Sequence, residues 1–231
     1  ARNALLARAG WDVEADGLQG APRVHVVVPE EAHATIHTSL RFLGLGSRGA
    51  VRVECDEEGR VVPAALAAAL EGLDGPTIVC AQAGNVNSGA FDPLEEVVEI
   101  AHGHGAWVHV DGAFGLWAAV SPKYRDLLRG HRGADSWSTD AHKWPNVPYD
   151  CGVVFVADPA AHRRAMSVDA SYLAKASAAR DPLDWVPDFS RRARSVPVYA
   201  ALRSLGVAGV RRIVEGCSAA AARAAELLAA D

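Results

Sequence analysis

Lysine is scarce in this sequence of 231 residues, and so are methionine and long apolar runs. Lys123, Lys143 and Lys175 are its three lysines, and every other basic residue is an arginine. No apolar run approaches the roughly 18 residues that a membrane helix requires, so we expect no membrane-spanning segment and no membrane partner. The formal charge of −5 is not the basic excess of a general nucleic-acid binder. A small-molecule ligand is compatible with this composition.

Cysteine is also sparse, and no two cysteines form a C-x-x-C pair. Cys55, Cys80, Cys151 and Cys217 lie far apart along the chain. We therefore expect buried free thiols and a reducing, cytoplasmic environment. A zinc site is not expected either, because the metalloprotease pattern requires Glu directly after the first His of an i, i+4 pair, and Ala follows His33 here.

The sequence also lacks the glycine-rich dinucleotide fingerprint, the P-loop and the G-x-S-x-G nucleophile elbow. Instead, short β-rich runs alternate with helical runs whose apolar residues recur every three or four positions. Several of the β-rich runs are apolar at successive positions, which is typical of strands covered by helices on both faces. This order predicts a layered α/β fold with a mainly parallel sheet. The predicted strands cover residues 23–30, 51–56, 77–84, 107–115, 136–143 and 152–158, and the predicted helices cover 31–43, 63–70, 93–104 and 123–128.

Both ends of the chain have helical character without capping residues, so we expect the sequence to be a fragment of a longer polypeptide. From about residue 191 onward the pattern is purely helical, with a predicted break at residues 204–206. The division suggested by this change is a large unit over residues 1–190 and the start of a second unit over residues 191–231.

Residues with chemical potential lie where predicted strands end, which is where parallel α/β sheets bind ligands. Asp111 follows a strand and precedes two small residues, and its carboxylate is either a ligand group or an ordinary turn residue. Lys143 also follows a strand, and it is either a nucleophilic amine or a solvated surface charge. For Phe114, Trp117 and Trp144, which are close to these positions, core packing is the expected role.

Three segments together resemble a known family: AHATIH at residues 32–37, VHVDGAFG at 108–115 and STDAHKW at 138–144. The family is that of the group II pyridoxal-phosphate-dependent amino-acid decarboxylases, which includes aromatic-L-amino-acid, histidine and glutamate decarboxylases. Further similar segments are NSGAFDPL, PYDCGVVFVAD and DFSRRARSVPVYAALRSLG, so the resemblance covers nearly the whole chain.

The resemblance implies a role for five residues toward pyridoxal 5'-phosphate (PLP). Lys143 resembles the lysine that forms the Schiff base, and His142 the histidine that contacts the phosphate and the lysine. Asp111 is similar to the aspartate that pairs with the pyridinium nitrogen. Ala113 resembles the small residue packed on one face of the ring, and His33 the histidine stacked on the other. The implied catalytic residues are Lys143, His33 and Asp111.

The implied fold is the large domain of a fold-type I PLP-dependent transferase, with three α/β/α layers. Residues 1–190 would form most of the PLP-binding domain without its N-terminal part, and residues 191–231 would lead into a C-terminal small domain. The resemblance further implies a homodimer, and it places the hydroxyls of Ser138 and Thr139 near the phosphate.

The implied activity is decarboxylation of an L-amino acid to an amine and CO2 through a Schiff base and a quinonoid intermediate. The alternatives are an aminotransferase, an aldehyde-forming relative or a catalytically incomplete paralogue. Two departures from the family motivate them. Residues 175–185 contain no tyrosine where animal aromatic decarboxylases carry one on a loop, although Tyr172 is close by, and the turn after residue 84 has asparagines where many relatives have threonines.

Overall fold

The computed structural model describes residues 1–168 and 180–230. Within these ranges, six strands form a sheet in the order β2-β1-β3-β4-β5-β6. The first five strands are parallel to their neighbours, and β6 runs antiparallel to β5. The strands are β1 (His25–Pro29), β2 (Val51–Val53), β3 (Thr77–Gln82), β4 (Trp107–Asp111), β5 (Ser136–Asp140) and β6 (Gly152–Val156).

Helices cover both faces of this sheet, as expected for the three-layer α/β/α fold. One core cluster joins the sheet to α1, α3 and α6, and the other joins it to α4, α5 and the 3-10 helices that follow β4. The helices are α1 (Arg2–Arg8), α2 (Val13–Asp16), α3 (Ala34–Phe42), α4 (Pro63–Glu71), α5 (Leu94–Gly103), α6 (Pro159–Met166) and α7 (Ser195–Leu228), with 3-10 helices at Gly115–Val120, Arg125–Leu128, His131–Gly133 and Pro182–Asp184.

The six predicted strands are all present, and most differences lie at element ends. The predicted helix over 31–43 begins only at Ala34, because His33 caps it: the His33 side chain accepts a hydrogen bond from the backbone N–H of Thr35. The predicted helix over 123–128 is a short 3-10 helix. The predicted break near residue 206 is confirmed, because Gly206 has a φ of 60° and kinks α7.

The cysteine expectation holds only in part. All four thiols are free, and Cys80 and Cys151 are buried. Burial raises the pKa of Cys80 to about 12, so this thiol stays protonated. Cys217, however, is exposed on α7.

One carboxylate is buried in the core at the start of α5. Asp92 is 2% exposed, and its two oxygens accept hydrogen bonds from the backbone N–H groups of Val61 (2.8 Å) and Gln82 (2.7 Å). Burial raises the pKa of Asp92 to about 6, although these two hydrogen bonds oppose the increase. Asp92 therefore ties the end of β3 to the loop before α4.

Across the described ranges, no helix is both long and apolar enough to cross a membrane.

Candidate active site

A cavity of about 810 Å³ opens at the carboxyl ends of the strands and extends along the sheet face that carries α1, α3 and α6. Its wall includes Lys143, Asp111, His33 and Ala113. These four residues come from the ends of three different strands, β1, β4 and β5. The fold thus brings together side chains that are up to 110 positions apart in the sequence, at the edge where parallel sheets bind ligands.

The amine of Lys143 lies between a carboxylate and an aromatic ring. Its Nζ is 3.1 Å from Oδ2 of Asp140, the last residue of β5, and 4.6 Å from the centroid of the Phe114 ring. The Trp144 and Phe114 rings form a T-shaped contact, with 5.9 Å between their centroids. Core packing was the wrong expectation for Phe114, which is 39% exposed and forms part of the cavity wall.

Asp111 ends β4 directly beside β5. Its Cα is paired with that of Ser138, and its Oδ1 accepts a hydrogen bond from the backbone N–H of Ala113 at 3.1 Å. The turn that carries Ala113 is closely packed: a Cβ on Gly112 would lie 2.8 Å from the Trp137 ring, and one on Gly115 would clash with the carbonyl of Ala83. Small residues are therefore required around Asp111 for steric reasons.

His33 is placed by its capping role before α3. Its Nδ1 lies 2.8 Å from the Thr35 hydroxyl and accepts the Thr35 backbone N–H at 3.3 Å. Because Nδ1 is an acceptor in this arrangement, the neutral ring carries its proton on Nε2. The ring is exposed on the cavity wall, where it can contact a planar ligand.

His142 lies next to Asp140 and packs against the loop before β6. Its ring stacks on Tyr149 at 4.8 Å, and its Nδ1 accepts the backbone N–H of Cys151 at 3.2 Å. Its Nε2 is 3.7 Å from Oδ2 of Asp140. His142 therefore lies beside the same carboxylate oxygen that pairs with Lys143.

A hydrogen-bonded chain forms the cavity floor on β4 and β5. The Trp107 indole N–H donates to the Ser136 hydroxyl at 2.8 Å, and Ser136 lies 2.8 Å from Nδ1 of His109. Because an indole N–H can only donate, the Ser136 hydroxyl accepts from it and has Nδ1 of His109 as its second partner. Nε2 of His109 then faces the Ser138 hydroxyl at 3.4 Å. Burial lowers the pKa of His109 to about 4, although Asp111 partly opposes this, so the ring is neutral near pH 7.

Several of these residues were not singled out from the sequence. Asp140 and His109 alternate with Ser138 and Asp111 on the cavity side of their strands, so period-two alternation could have identified them. Ser138 lines the cavity as expected, whereas Thr139 lies on the opposite face of β5 and is 2% exposed. Tyr172 and the start of the tyrosine-free stretch at residue 175 fall outside the described residues.

Within residues 1–168 and 180–230, no group of three or more His, Cys, Asp or Glu side chains is arranged to hold a metal ion. The cavity wall instead carries the amine of Lys143, the carboxylates of Asp111 and Asp140, and the His33 ring together with the small residue Ala113. This set suits a planar aldehyde with a protonated ring nitrogen, because the aldehyde can react with the amine and the nitrogen can pair with a carboxylate. The residues present therefore fit PLP.

Comparison with known proteins agrees with this chemistry. Bovine (Bos taurus) acidic amino acid decarboxylase GADL1 is 34% identical over 213 residues, which cover 88% of this chain and 41% of the relative. The crystal structure of mouse CSAD superposes with a TM-score of 0.89 at 27% identity, over 97% of this chain and 48% of that one. The structure of Rhodiola rosea 4-hydroxyphenylacetaldehyde synthase has a TM-score of 0.81 at 26% identity, over 100% of this chain and 48% of its own.

The chain thus spans less than half the length of these relatives. Residues 12–231 match the family model described as the pyridoxal-dependent decarboxylase conserved domain. The cofactor in that description confirms the cofactor expected from the sequence, and the structural likeness confirms the expected fold class. This chain belongs to the pyridoxal-dependent decarboxylase family.

Proposed function

We propose that this protein is a PLP-dependent carboxy-lyase that converts an L-amino acid to the corresponding amine and CO2. The observation that carries the proposal is the placement of Lys143 and Asp111 on the wall of one cavity, at the ends of the neighbouring strands β5 and β4. The reaction requires an amine to hold the cofactor and a carboxylate to pair with its ring nitrogen, and this wall provides both.

When bound, PLP supplies an aldehyde that reacts with amines and a ring that accepts the electron pair released at the substrate α-carbon. Lys143 would hold the cofactor through Nζ and would give it up to the substrate amine. Asp111 would hold a proton at the ring nitrogen, which would keep the ring cationic and able to accept electrons. His33, oriented by Thr35, and Ala113 would contact the ring.

The proposal extends to the partners expected from the sequence. The substrate is an L-amino acid, the active form is a homodimer, and the protein works in the cytoplasm without a nucleic-acid or membrane partner. The hydrophobic part of the wall, which includes Ile36, Leu40 and Val86, provides room for an amino-acid side chain. Activity toward a panel of amino acids would identify the substrate side chain that this wall accepts.

An aldehyde-forming or aminotransferase activity is the second candidate. Two observations favour it: the likeness to an aldehyde synthase, and the absence of tyrosine from residues 175–185, where a tyrosine helps to protonate the product in animal aromatic decarboxylases. Both activities use the same amine and carboxylate, so the geometry of Lys143 and Asp111 is common to them.

A product assay with PLP and a panel of acidic and aromatic L-amino acids separates the candidates. Decarboxylation yields CO2 and an amine in equal amounts, and this is the expected result. CO2 with an aldehyde identifies the aldehyde-forming relative. A product that keeps its carboxylate but loses its amine identifies an aminotransferase and rejects the proposed function.

A further inference from the structure

We propose that Asp140 is a positioning residue that keeps the Lys143 amine ion-paired at the cavity wall whenever this amine is not bound to the cofactor. The inference rests on the proposed function, because it takes Lys143 as the residue that holds PLP. It adds a role for a carboxylate that neither the sequence motif nor the Asp111 interaction explains.

The surroundings of the amine support this role. Nζ of Lys143 is 3.1 Å from Oδ2 of Asp140, and the Phe114 ring covers it at 4.6 Å. The two charged side chains are only 29% and 27% exposed, so solvent screens their attraction less than that of a surface pair. The ring adds a favourable cation–π contact to the same ammonium group. Carboxylate and ring together define one location for the free amine.

The backbone of Asp140 is held in place by two hydrogen bonds. The backbone N–H of Asp140 donates to the carbonyl of Ala113 at 3.1 Å, and the Trp117 indole N–H donates to the Asp140 carbonyl at 3.3 Å. These bonds attach Asp140 to the turn that follows Asp111. The position of the free amine is therefore coupled to the position of the second cofactor-binding group.

His142 is a second neighbour of the Asp140 carboxylate. The backbone N–H of Cys151 can only donate, so Nδ1 of His142 is the acceptor in their 3.2 Å hydrogen bond. The proton of the neutral ring is then on Nε2, 3.7 Å from Oδ2 of Asp140. Oδ2 of Asp140 thus lies near two donor groups, Nζ of Lys143 and Nε2 of His142.

The pairing matters for the exchange of amines on the cofactor. A substrate enters as an ammonium ion, its nitrogen forms a bond to the cofactor carbon, and the bond from that carbon to Nζ breaks. The incoming ammonium group gives up two N–H protons and the departing Nζ takes up two, with the C=N nitrogen protonated before and after, so Lys143 leaves as an ammonium ion and total charge is conserved. Asp140 stabilises the ammonium form of the released Lys143 and thereby shifts the exchange equilibrium toward the bound substrate.

Competitive acetylation of the cofactor-free protein tests the proposal directly. Acetic anhydride reacts only with neutral amines, and peptide mass spectrometry reports the rate at Lys143 relative to Lys123 in the same digest. Lys123 lies outside the cavity against Tyr124 and serves as the internal reference. In Asp140→Asn, which keeps the shape but removes the charge, we expect the rate ratio to rise several-fold, because the ammonium form of Lys143 loses the carboxylate that pairs with it.

Matched variants complete the test. Asp140→Glu restores the carboxylate and should lower the ratio toward the wild-type value, which a purely structural role of residue 140 would not predict. Asp126→Asn removes an acid from the 3-10 helix Arg125–Leu128 and should leave the ratio unchanged. If Asp140→Asn does not fold, Asp140→Ser is used with the same expected rise.

An unchanged or lower ratio in the charge-removing variant overturns the proposal. Acetylation requires neither cofactor nor turnover, so its outcome is independent of the product assay. A protein that shows the expected rise but does not decarboxylate amino acids contradicts only the proposed function. One that decarboxylates them with no change in the ratio contradicts only the role of Asp140.

Discussion

Single residues around the cavity have different electrostatic surroundings, which suit them to different tasks. His109 is neutral near pH 7 because burial lowers its pKa to about 4. Lys143, in contrast, has a carboxylate within 3.1 Å of its amine. A neutral imidazole on the cavity floor can hold the neighbouring hydroxyls in place without adding a positive charge beside Asp111. The Asp111 carboxylate would then be available to pair with the protonated ring nitrogen of PLP.

The covalent role of Lys143 makes the first prediction. In Lys143→Ala the cofactor has no amine to bind, so borohydride reduction should leave no PLP attached to the protein, and activity should fall by about 10³-fold or more. Mass spectrometry of the reduced protein measures the adduct. Lys123→Ala is the matched control and should retain both adduct and activity. Reduced cofactor still attached to Lys143→Ala would show that another amine holds PLP.

At the scale of elements, the turn after β4 determines where Asp111 and Ala113 lie. It is packed against β3 through Gly115, at a distance that leaves no space for a side chain. The strand prediction over 107–115 was therefore too long: the strand ends at Asp111, and the small residues that follow form a turn and a 3-10 helix. The same applies to β5, which ends at Asp140 and places Lys143 in the next turn.

Gly115→Ala tests this packing. The new methyl group would overlap the Ala83 carbonyl, so we expect a loss of about 1–3 kcal/mol in the free energy of unfolding and weaker PLP binding. Denaturant titration and cofactor titration measure the two effects. Gly216→Ala, in α7 with no atom within 4 Å of the added Cβ, is the control and should be neutral or stabilising by up to about 1 kcal/mol. Equal behaviour of the two variants would show that the turn can relax.

At the scale of the whole molecule, two groups with shifted pKa values give opposite pH dependences of stability. The pKa of His109 is lowered from 6.5 to about 4, so between these values the unfolded chain binds more protons and stability rises with pH. The pKa of Asp92 is raised from 3.8 to about 6, so in that window the folded chain binds more protons and stability falls as pH rises. The two contributions largely cancel between pH 4 and 6.

Substitution of one group should make visible the pH dependence of stability that the other group causes. Relative to wild type, the free energy of unfolding of His109→Gln should fall progressively as pH rises from 4 to 6.5. The amount by which Asp92→Asn is less stable than wild type should decrease as pH rises from 3.8 to 6. Each change should reach about 3 kcal/mol, because one unit of pKa shift corresponds to about 1.4 kcal/mol. Urea denaturation across this pH range measures both, and differences that do not vary with pH would contradict the assignment.

Domain organisation also belongs to this scale. The sheet and α1 to α6 lie within residues 1–168, and α7 packs on the 3-10 helix Gly115–Val120 through contacts such as Ser121 to Glu215 at 2.6 Å. A boundary near residue 190 is compatible with this arrangement. The assignment of residues 191–231 to the start of a small domain stays a prediction.

The sequence by itself determined the layered fold, the order of strands and helices, and the identity of Lys143, Asp111, Ala113 and His33 as cavity residues. Periodicity and turn residues are local signals, and strand ends in a parallel sheet share one edge, so the fold and the positions of Lys143 and Asp111 follow from short stretches of chain. Ala113 and His33 were identified by the resemblance of short motifs to the decarboxylase family. The tertiary structure alone decided that Asp140 pairs with Lys143, that Phe114 faces the cavity and that His109 is neutral. These depend on distances between side chains and on burial, which arise only when separate strands and turns pack against each other.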